Sequence, residues 1–338
     1  MSNKTVSVGI DLGHSSVKVA INWPENEGGE KLNMMDTVVK DWRQLSNPDT
    51  AKAAEADTVS INGRKFFIGK TAKLQSRAED FTGQSRDWIN TVEHDALILG
   101  AWDMVISSLN SHDIFMPNFV LVFGLPASFF AKQKESLRLR VLSLIKPKLG
   151  PNQTLEVLVQ SQSVAPLFNI AIDANGQPTG KVNDADAWGA VEIGHYTTDF
   201  TLLDKGQEIE DVASSTDGVI GVYTRVKEGL KQNDYLHDLE TIEMAIREKQ
   251  IKVFGELISV EAIVNPAINE FASMIRERTN NLFKGSAQRM DGIVIAGGGA
   301  CIPDVSGAIK AQYKNAFVME NPRYSVATGL CRLGLLSA

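Results

Sequence analysis

Short apolar runs, broken by glycine-bearing turns, alternate along this chain with longer stretches of helical apolar spacing. Residues 6–11 and 17–23 read as two strands joined by a turn at 12–16, followed by a polar loop at 24–31. Asn62-Gly63, between the apolar runs 58–61 and 65–68, is a strong hairpin signal because both residues tolerate positive φ. Spacing near 3.6 predicts helices over 92–109 and 131–145, the second stopped near Pro147. Buried-type strands are expected at 119–123, ended by Gly124-Leu125-Pro126, and at 155–159. A glycine- and proline-bearing stretch, 173–180, breaks the pattern. Beyond it, strands are expected at 187–193, 200–204, 208–212 and 293–296, with helices at 219–231, 239–248, 260–283, 303–313 and 325–335. Strands then helices, twice over, with a hairpin-like pair heading each half, is an α/β pattern of two similar halves. The helices supply the crossovers that a mixed sheet needs.

The 338 residues are enough for two domains of ordinary size. Hydrophobic residues at 43% and charged residues at 22% give the balance of a soluble globular protein. No apolar run approaches the ~18 residues needed to cross a bilayer. The polar start, Met1 to Thr5, lacks the parts of a signal peptide, so a cytoplasmic location without membrane contact is expected. Two cysteines, Cys301 and Cys331, fit a reducing compartment, and with five scattered histidines they are too few for zinc. A net charge of −7 argues against direct nucleic-acid binding, which draws on a basic surplus. The basic stretch from Lys132 to Lys148 reads as a solvated helix face.

An internal repeat carries the candidate chemistry. Asp11-Leu12-Gly13-His14-Ser15-Ser16-Val17-Lys18 parallels Glu192-Ile193-Gly194-His195-Tyr196-Thr197-Thr198-Asp199. Each has an acid at the end of an apolar strand, then an apolar residue, Gly and His, then hydroxyl residues opening a second strand; such units suggest duplicated domains. A tight glycine turn lets backbone N–H groups approach phosphate oxygens. Hydroxyls add donors, and Lys18 adds a point charge suited to β- and γ-phosphates. The acids Asp11 and Glu192 would repel phosphate and are expected to hold Mg²⁺ through waters. Either turn alone is equally an ordinary polar hairpin; the pair favours two jaws on one triphosphate. A third cluster, Gly297-Gly298-Gly299, follows a buried strand and precedes a helix, where a nucleotide meets backbone N–H groups. It is neither a Walker A loop nor a dinucleotide fingerprint. His94, His112 and His237 have no partners at ligand spacing. Trp23, Trp42, Trp88, Trp102 and Trp188 read as core or interface residues, His14 and His195 as solvated turn histidines or phosphate contacts, and Cys301 as a small buried residue.

These three elements, in this order and spacing, resemble the actin/Hsp70/sugar-kinase superfamily. Asp11-Leu-Gly…Lys18 is similar to its first phosphate motif, Glu192-Ile-Gly…Thr197-Thr198-Asp199 to its second, and Gly297-Gly298-Gly299 to its adenosine motif. Residues 321–330 resemble the closing hinge helix, and Gly124-Leu125-Pro126 a strand end of the family. Size and the segment Val159-Gln-Ser-Gln162-Ser-Val-Ala-Pro are most similar to ParM-type bacterial actins, which segregate plasmids. The resemblance implies two RNase H-like domains, residues 1–184 with 319–338 and residues 185–318, with a nucleotide cleft between them. It implies ATP hydrolysis with Mg²⁺ at Asp11 and Glu192. Gln162 takes the position of the residue that orients the attacking water, with Gln160 as an alternative. The nucleotide would be held by Gly13, His14, Ser15, Ser16 and Lys18, by Gly194, His195, Tyr196 and Thr197, and by Gly218, Lys227 and Gly297 to Gly299. It also implies self-assembly into filaments, and a DNA-binding adaptor on a plasmid centromere in place of direct nucleic-acid contact.

Two departures stand out: Glu192 replaces the usual Asp of the second motif, and His195 replaces a usual Gly. They put hydrolysis in more doubt than nucleotide binding and keep open a non-hydrolysing nucleotide-binding scaffold. A small-molecule kinase of the same superfamily is a further alternative. Asn183-Asp184 and Glu192-Ile-Gly-His195 echo ROK-type sugar kinases, but here the fragments nearly abut and no cysteine cluster follows. A chaperone of the Hsp70 type is disfavoured, since no substrate-binding region follows Ala338.

Overall fold

In the computed structural model of the chain, residues 4–24, 26, 28–75, 88–183 and 185–337 are described. Glu25 and Glu27 of the polar loop and Asp184 of the kinase echo lie outside these residues. In chain order the elements are β1 (Thr5–Leu12), β2 (Ser16–Asn22), β3 (Lys31–Asp36), β4 (Val39–Asp41), α1 (Pro48–Glu55), β5 (Thr58–Ile61), β6 (Arg64–Ile68), α2 (Gly69–Gln75), α3 (Val92–Asn110), β7 (Asn118–Leu125), α4 (Ala127–Ile145), β8 (Leu155–Ser161) and α5 (Ala165–Ala171). There follow β9 (Ala187–Ile193), β10 (Thr197–Asp204), β11 (Gln207–Glu208), β12 (Ser214–Asp217), α6 (Ile220–Gln232), α7 (Leu239–Glu248), β13 (Gln250–Val253), β14 (Glu256–Ser259), α8 (Glu261–Phe283), β15 (Gly292–Ala296), α9 (Pro303–Gln312), β16 (Ala316–Val318) and α10 (Ser325–Leu335). The chain folds into two units, residues 1–182 with 324–338 and residues 183–323.

The first unit is built on a sheet in the order β3-β2-β1-β7-β8, with β1 antiparallel to β2 and parallel to β7. β1 shows no clean alternation because both its faces are covered. Val6, Val8 and Ile10 join the core formed with α3, whereas Ser7 and Gly9 meet α10. The contact between α10 and α5 is equally close: a Cβ on Gly329 would lie 1.8 Å from the Ala165 carbonyl oxygen. Arg332 of α10 fixes the end of α5, donating to the Asn169 and Ile172 carbonyls at 2.6 and 3.0 Å while its Nε meets Glu30 at 2.5 Å. A smaller sheet, β4-β6-β5, contains the Asn62-Gly63 hairpin, with φ of 49° and 80° as that turn requires.

The second unit repeats the plan. Its sheet runs β11-β10-β9-β15-β16, with β12 also paired to β10; β9 is antiparallel to β10 and parallel to β15. Val191, Ile193, Phe200 and Leu202 pack against helices α6 and α8. The hairpin-plus-parallel-strands arrangement therefore occurs twice, and the chain has the mixed α/β architecture of two similar halves.

Several elements depart from the sequence reading. The strand expected at 208–212 shrinks to β11, because residues 209–213 close into a turn in which Val212 N–H donates to the Ile209 carbonyl at 3.0 Å. Val212 is buried as an anchor of that turn, not as a strand residue. β12, Ser-Ser-Thr-Asp, pairs with β10 over residues to which the sequence reading assigns no strand. Cys301, expected to be buried, is exposed: it ends a 3-10 turn that points Ala300 inward instead. Among the described residues, no helix is long and apolar enough to cross a membrane.

Two glycine substitutions should separate packing from propensity. Gly329→Ala drives a methyl into a backbone carbonyl and should cost about 3 kcal/mol or prevent folding. Gly307→Ala, in α9 with nothing within 4 Å of the added Cβ, should stabilise by up to about 1 kcal/mol. Denaturant unfolding midpoints at constant slope would test both.

Candidate functional site

Asp11 closes β1 and faces Lys18 directly across the β1–β2 ladder. Its carboxyl is almost wholly buried, a costly place for a charge unless it is paired and hydrogen-bonded. Both oxygens are matched: Lys18 Nζ lies 3.0 Å from Oδ2, and Gln162 Nε2 donates to Oδ1 at 2.8 Å. An ionised carboxylate only accepts, so the Gln162 amide nitrogen must face Asp11. The Gln162 carbonyl oxygen is thereby left as an acceptor for another donor.

Gln162 owes its place to the end of β7. Its backbone N–H donates to the Leu125 carbonyl at 2.7 Å, and Gly124 leaves it room: a Cβ there would meet Gln162 Cγ at 2.8 Å. Gln160 is occupied differently, its side-chain oxygen accepting from Ser161 N–H at 2.8 Å. The turn itself is tied to the end of β3, where Thr37 Oγ1 donates to the Gly13 carbonyl at 2.5 Å and Thr37 N–H to the Ser15 carbonyl at 3.1 Å. Ser15 is exposed on the turn and Ser16 opens β2. The His14 ring stacks on Trp88, with centroids 5.2 Å apart and planes 29° apart. Burial lowers the His14 pKa, with Asp11 opposing and Lys18 adding to the effect. A stacking role for Trp88 was not legible in the sequence, where it stands 74 positions from His14.

The second unit gathers the corresponding residues. Glu192 and Asp199 are opposite one another across β9 and β10, and Ser215 of β12 is the next in register. Asp199 is buried and accepts hydrogen bonds from Thr197 Oγ1, at 3.0 Å, and from Ser215 Oγ. Burial raises its pKa, against these two hydroxyls, which favour the charged form. The longer Glu192 side chain reaches both glycine elements. A Cβ on Gly297 would lie 2.5 Å from Glu192 Oε1, and one on Gly194 would lie 3.3 Å from Oε2. Gly297, at φ 86°, makes a turn that a side chain would strain. Gly298 opens onto free space, whereas Gly299 packs on Ile193.

The 194–196 turn is clamped by the start of α6. Gly218 N–H donates to the Tyr196 carbonyl at 2.9 Å, Val219 N–H to Gly194 at 3.1 Å, and Ile220 N–H to His195 at 2.7 Å. His195 packs edge-on against Tyr196 and Tyr223, with centroids 5.1 and 4.9 Å apart. Burial, helped by the Glu243 charge, pushes the Tyr223 hydroxyl up to about 12. Lys227 lies exposed on α6, and no hydrogen bond or ion pair among the described residues joins it to the turn. No group of three or more His, Cys, Asp and Glu able to hold a metal ion occurs among the described residues.

Comparisons with known proteins bear on the fold. Residues 9–166 match the family described as actin like proteins N terminal domain, and residues 190–304 match the archaeal actin homologue MreB-like C-terminal family. Among solved structures, a 15-stranded ParM filament from Clostridium botulinum superposes with a TM-score of 0.73 at 19% identity, covering 99% of each chain. An archaeal actin homolog, Ta0583, gives 0.68 at 14% identity over 99% of this chain and 100% of its own. Bacillus thuringiensis ParM with ATP gives 0.66 at 14% identity over 98% of this chain and 99% of its own. At these identities the likeness is one of fold. No curated protein matches the sequence.

His94, behind Trp88, supplies a pH test of this region. It is buried, its Nδ1 has no hydrogen-bond partner among the described residues, and burial together with the Arg140 charge lowers its pKa from 6.5 to about 3. The unfolded chain therefore takes a proton below pH 6.5 that the folded chain refuses, so the contribution present above 6.5 is lost as pH falls toward 3. Between pH 7 and pH 5 the loss should be about 2 kcal/mol. His94→Gln should flatten that part of the stability profile, measured by urea unfolding at both pH values.

Proposed function

The chain belongs to the actin-like superfamily, and from that premise we propose that it binds and hydrolyses ATP with Mg²⁺ and assembles with itself into filaments. The phosphates of the nucleotide would be met by the turns at Gly13 and Gly194 and its adenosine by the Gly297 loop. One observation carries this reading: a buried Asp11 is matched on one oxygen by Lys18 and on the other by Gln162, a residue 151 positions away in the chain.

Each group has a defined task in this reading. The oxygen-only set of Asp11 and Glu192 suits Mg²⁺, which prefers hard oxygen ligands and keeps several waters. When bound, the ion would neutralise charge on the β- and γ-phosphates. Lys18 supplies fixed positive charge beside the first turn. Gln162 holds Asp11 through its nitrogen and presents its oxygen to the proton of an attacking water, which positions that water without acting as a strong base. Asp199 accepts the Thr197 O–H hydrogen bond, so the Thr197 oxygen offers lone pairs suited to a cation or its hydration water, not to a phosphate oxygen. The Gly298 backbone N–H and the exposed Ser15 hydroxyl supply donors suited to phosphate, whereas the Gly194 N–H is taken by the Thr197 carbonyl at 2.8 Å.

The biological role in this reading is ParM-type plasmid segregation in the cytoplasm, with a DNA-binding adaptor at the plasmid centromere. The fold shared with a ParM solved as a filament, and with one solved with ATP, supports it. So does a net charge of −7, which suits a protein that leaves DNA contact to a partner.

Asp11→Ala should weaken Mg²⁺-ATP binding at least about tenfold, since it leaves Lys18 and Gln162 without their shared partner. Gln162→Ala should lower phosphate release more than affinity, by about a hundredfold in turnover. Calorimetric titration and phosphate-release assays measure the two. Affinity and turnover unchanged in Asp11→Ala would overturn the reading. Light scattering and negative-stain microscopy with Mg²⁺-ATP test assembly; hydrolysis only when a small acceptor is supplied would point to a kinase instead.

A further inference from the structure

Trp88 stands apart from every residue that the sequence motifs select, yet its ring lies against the first turn. We propose that Trp88 is a positioning residue, whose indole holds the His14 imidazole in place on the β1–β2 turn for contact with a phosphate ligand. The inference rests on the nucleotide reading for the ligand, while the positioning itself rests on geometry within the first unit.

A histidine on a turn of two strands has two side-chain torsions to fix, and the turn backbone alone does not fix them. Stacking at 5.2 Å with planes 29° apart removes that freedom. The platform is itself immobilised. Trp88 is buried, and His94 meets its face edge-on at 4.7 Å and 89°. The Trp88 carbonyl accepts from Thr91 Oγ1 at 2.7 Å and from Thr91 N–H at 3.0 Å. Thr91 is the N-cap of α3, accepting from His94 N–H at 3.2 Å, so the Trp88 backbone is bonded into the start of a 19-residue helix. That helix is in turn held to α4 by the paired contacts of Asp95 with Arg140. The His14 ring thus stacks on a residue whose backbone is anchored at the start of α3.

The chemistry of His14 explains why its orientation would matter. Imidazole offers one N–H when neutral and two when protonated. Asp11 and Lys18 are the charges that act on it, and they oppose one another. An arriving phosphate adds negative charge to this balance and favours the donor form. A ring already fixed against Trp88 can donate without losing further torsional freedom, which is the benefit of preorganisation.

The test uses the full chain with Trp88→Leu, which stays apolar but removes the aromatic face, Trp88→Phe, which keeps one, and His14→Gln. In nucleotide-free protein, the His14 ring protons should be shifted upfield by the indole ring current; His14→Gln identifies these resonances, and Trp88→Leu should return them to ordinary positions. For Mg²⁺-ATP, Trp88→Leu should weaken binding about fivefold, the scale of one aromatic pair, and Trp88→Phe less than about twofold. In the double variant the two losses should fail to add, because both remove one oriented imidazole. Additive losses, or His14 resonances indifferent to Trp88→Leu, would overturn the inference and leave Trp88 as a core residue. If Trp88→Leu does not fold, Trp88→Phe carries the test: it should keep a smaller upfield shift, and unmoved resonances overturn the inference. Wild-type protein that binds no nucleotide would remove the ATP reading, and the ring-current shift would then decide the positioning role alone.

Discussion

A carboxylate placed in a protein interior must be matched on both oxygens or lose its charge. In this chain that constraint falls on Asp11, and satisfying it organises the first unit. Lys18 comes from the strand directly opposite, so the β1–β2 register is set by the pair as well as by the apolar residues around it. Gln162 comes from beyond β8, and it reaches Asp11 only because β7 and β8 lie beside β1 in the parallel half of the sheet. A salt bridge alone would leave one oxygen bare; the amide completes it.

The second unit solves the same problem with other residues. Its buried acid is Asp199, one strand over from the position of Asp11, and hydroxyl groups match it where an amine and an amide served before. Glu192 occupies the position of Asp11. Its longer side chain reaches the Gly297 turn, which accommodates the carboxylate because that position carries no side chain. The replacement of Asp by Glu in the second motif therefore has a steric counterpart in the strand-to-helix turn that follows β15.

Beneath the Asp11 site lies close backbone packing. α10 lies against β1 and α5 at distances that only glycine permits, and Arg332 then ties the same helix to the end of α5. This packing determines where β1 ends, and so where Asp11 and its turn emerge. The N-terminus of α3 acts similarly from the other face, with Thr91, Trp88 and His94 forming a bonded and stacked group.

By itself the sequence determined the α/β class, the repeated strand–turn–strand units, most helices and the Asn62-Gly63 hairpin, because each is written in local spacing and turn chemistry. It also singled out Asp11, Lys18, Glu192 and the three glycines at 297–299. Only the tertiary structure distinguished the surroundings of Gln162 and Gln160, which are chemically alike and two residues apart: one donates to Asp11 and the other folds back on its own strand. It alone paired Ser214–Asp217 as a strand, since hydroxyl residues carry no apolar alternation, and turned Cys301 outward. It alone brought Trp88 to His14 and Ser215 to Asp199, for contacts between residues far apart in the chain depend on how sheets and helices pack, and packing leaves no local pattern to read.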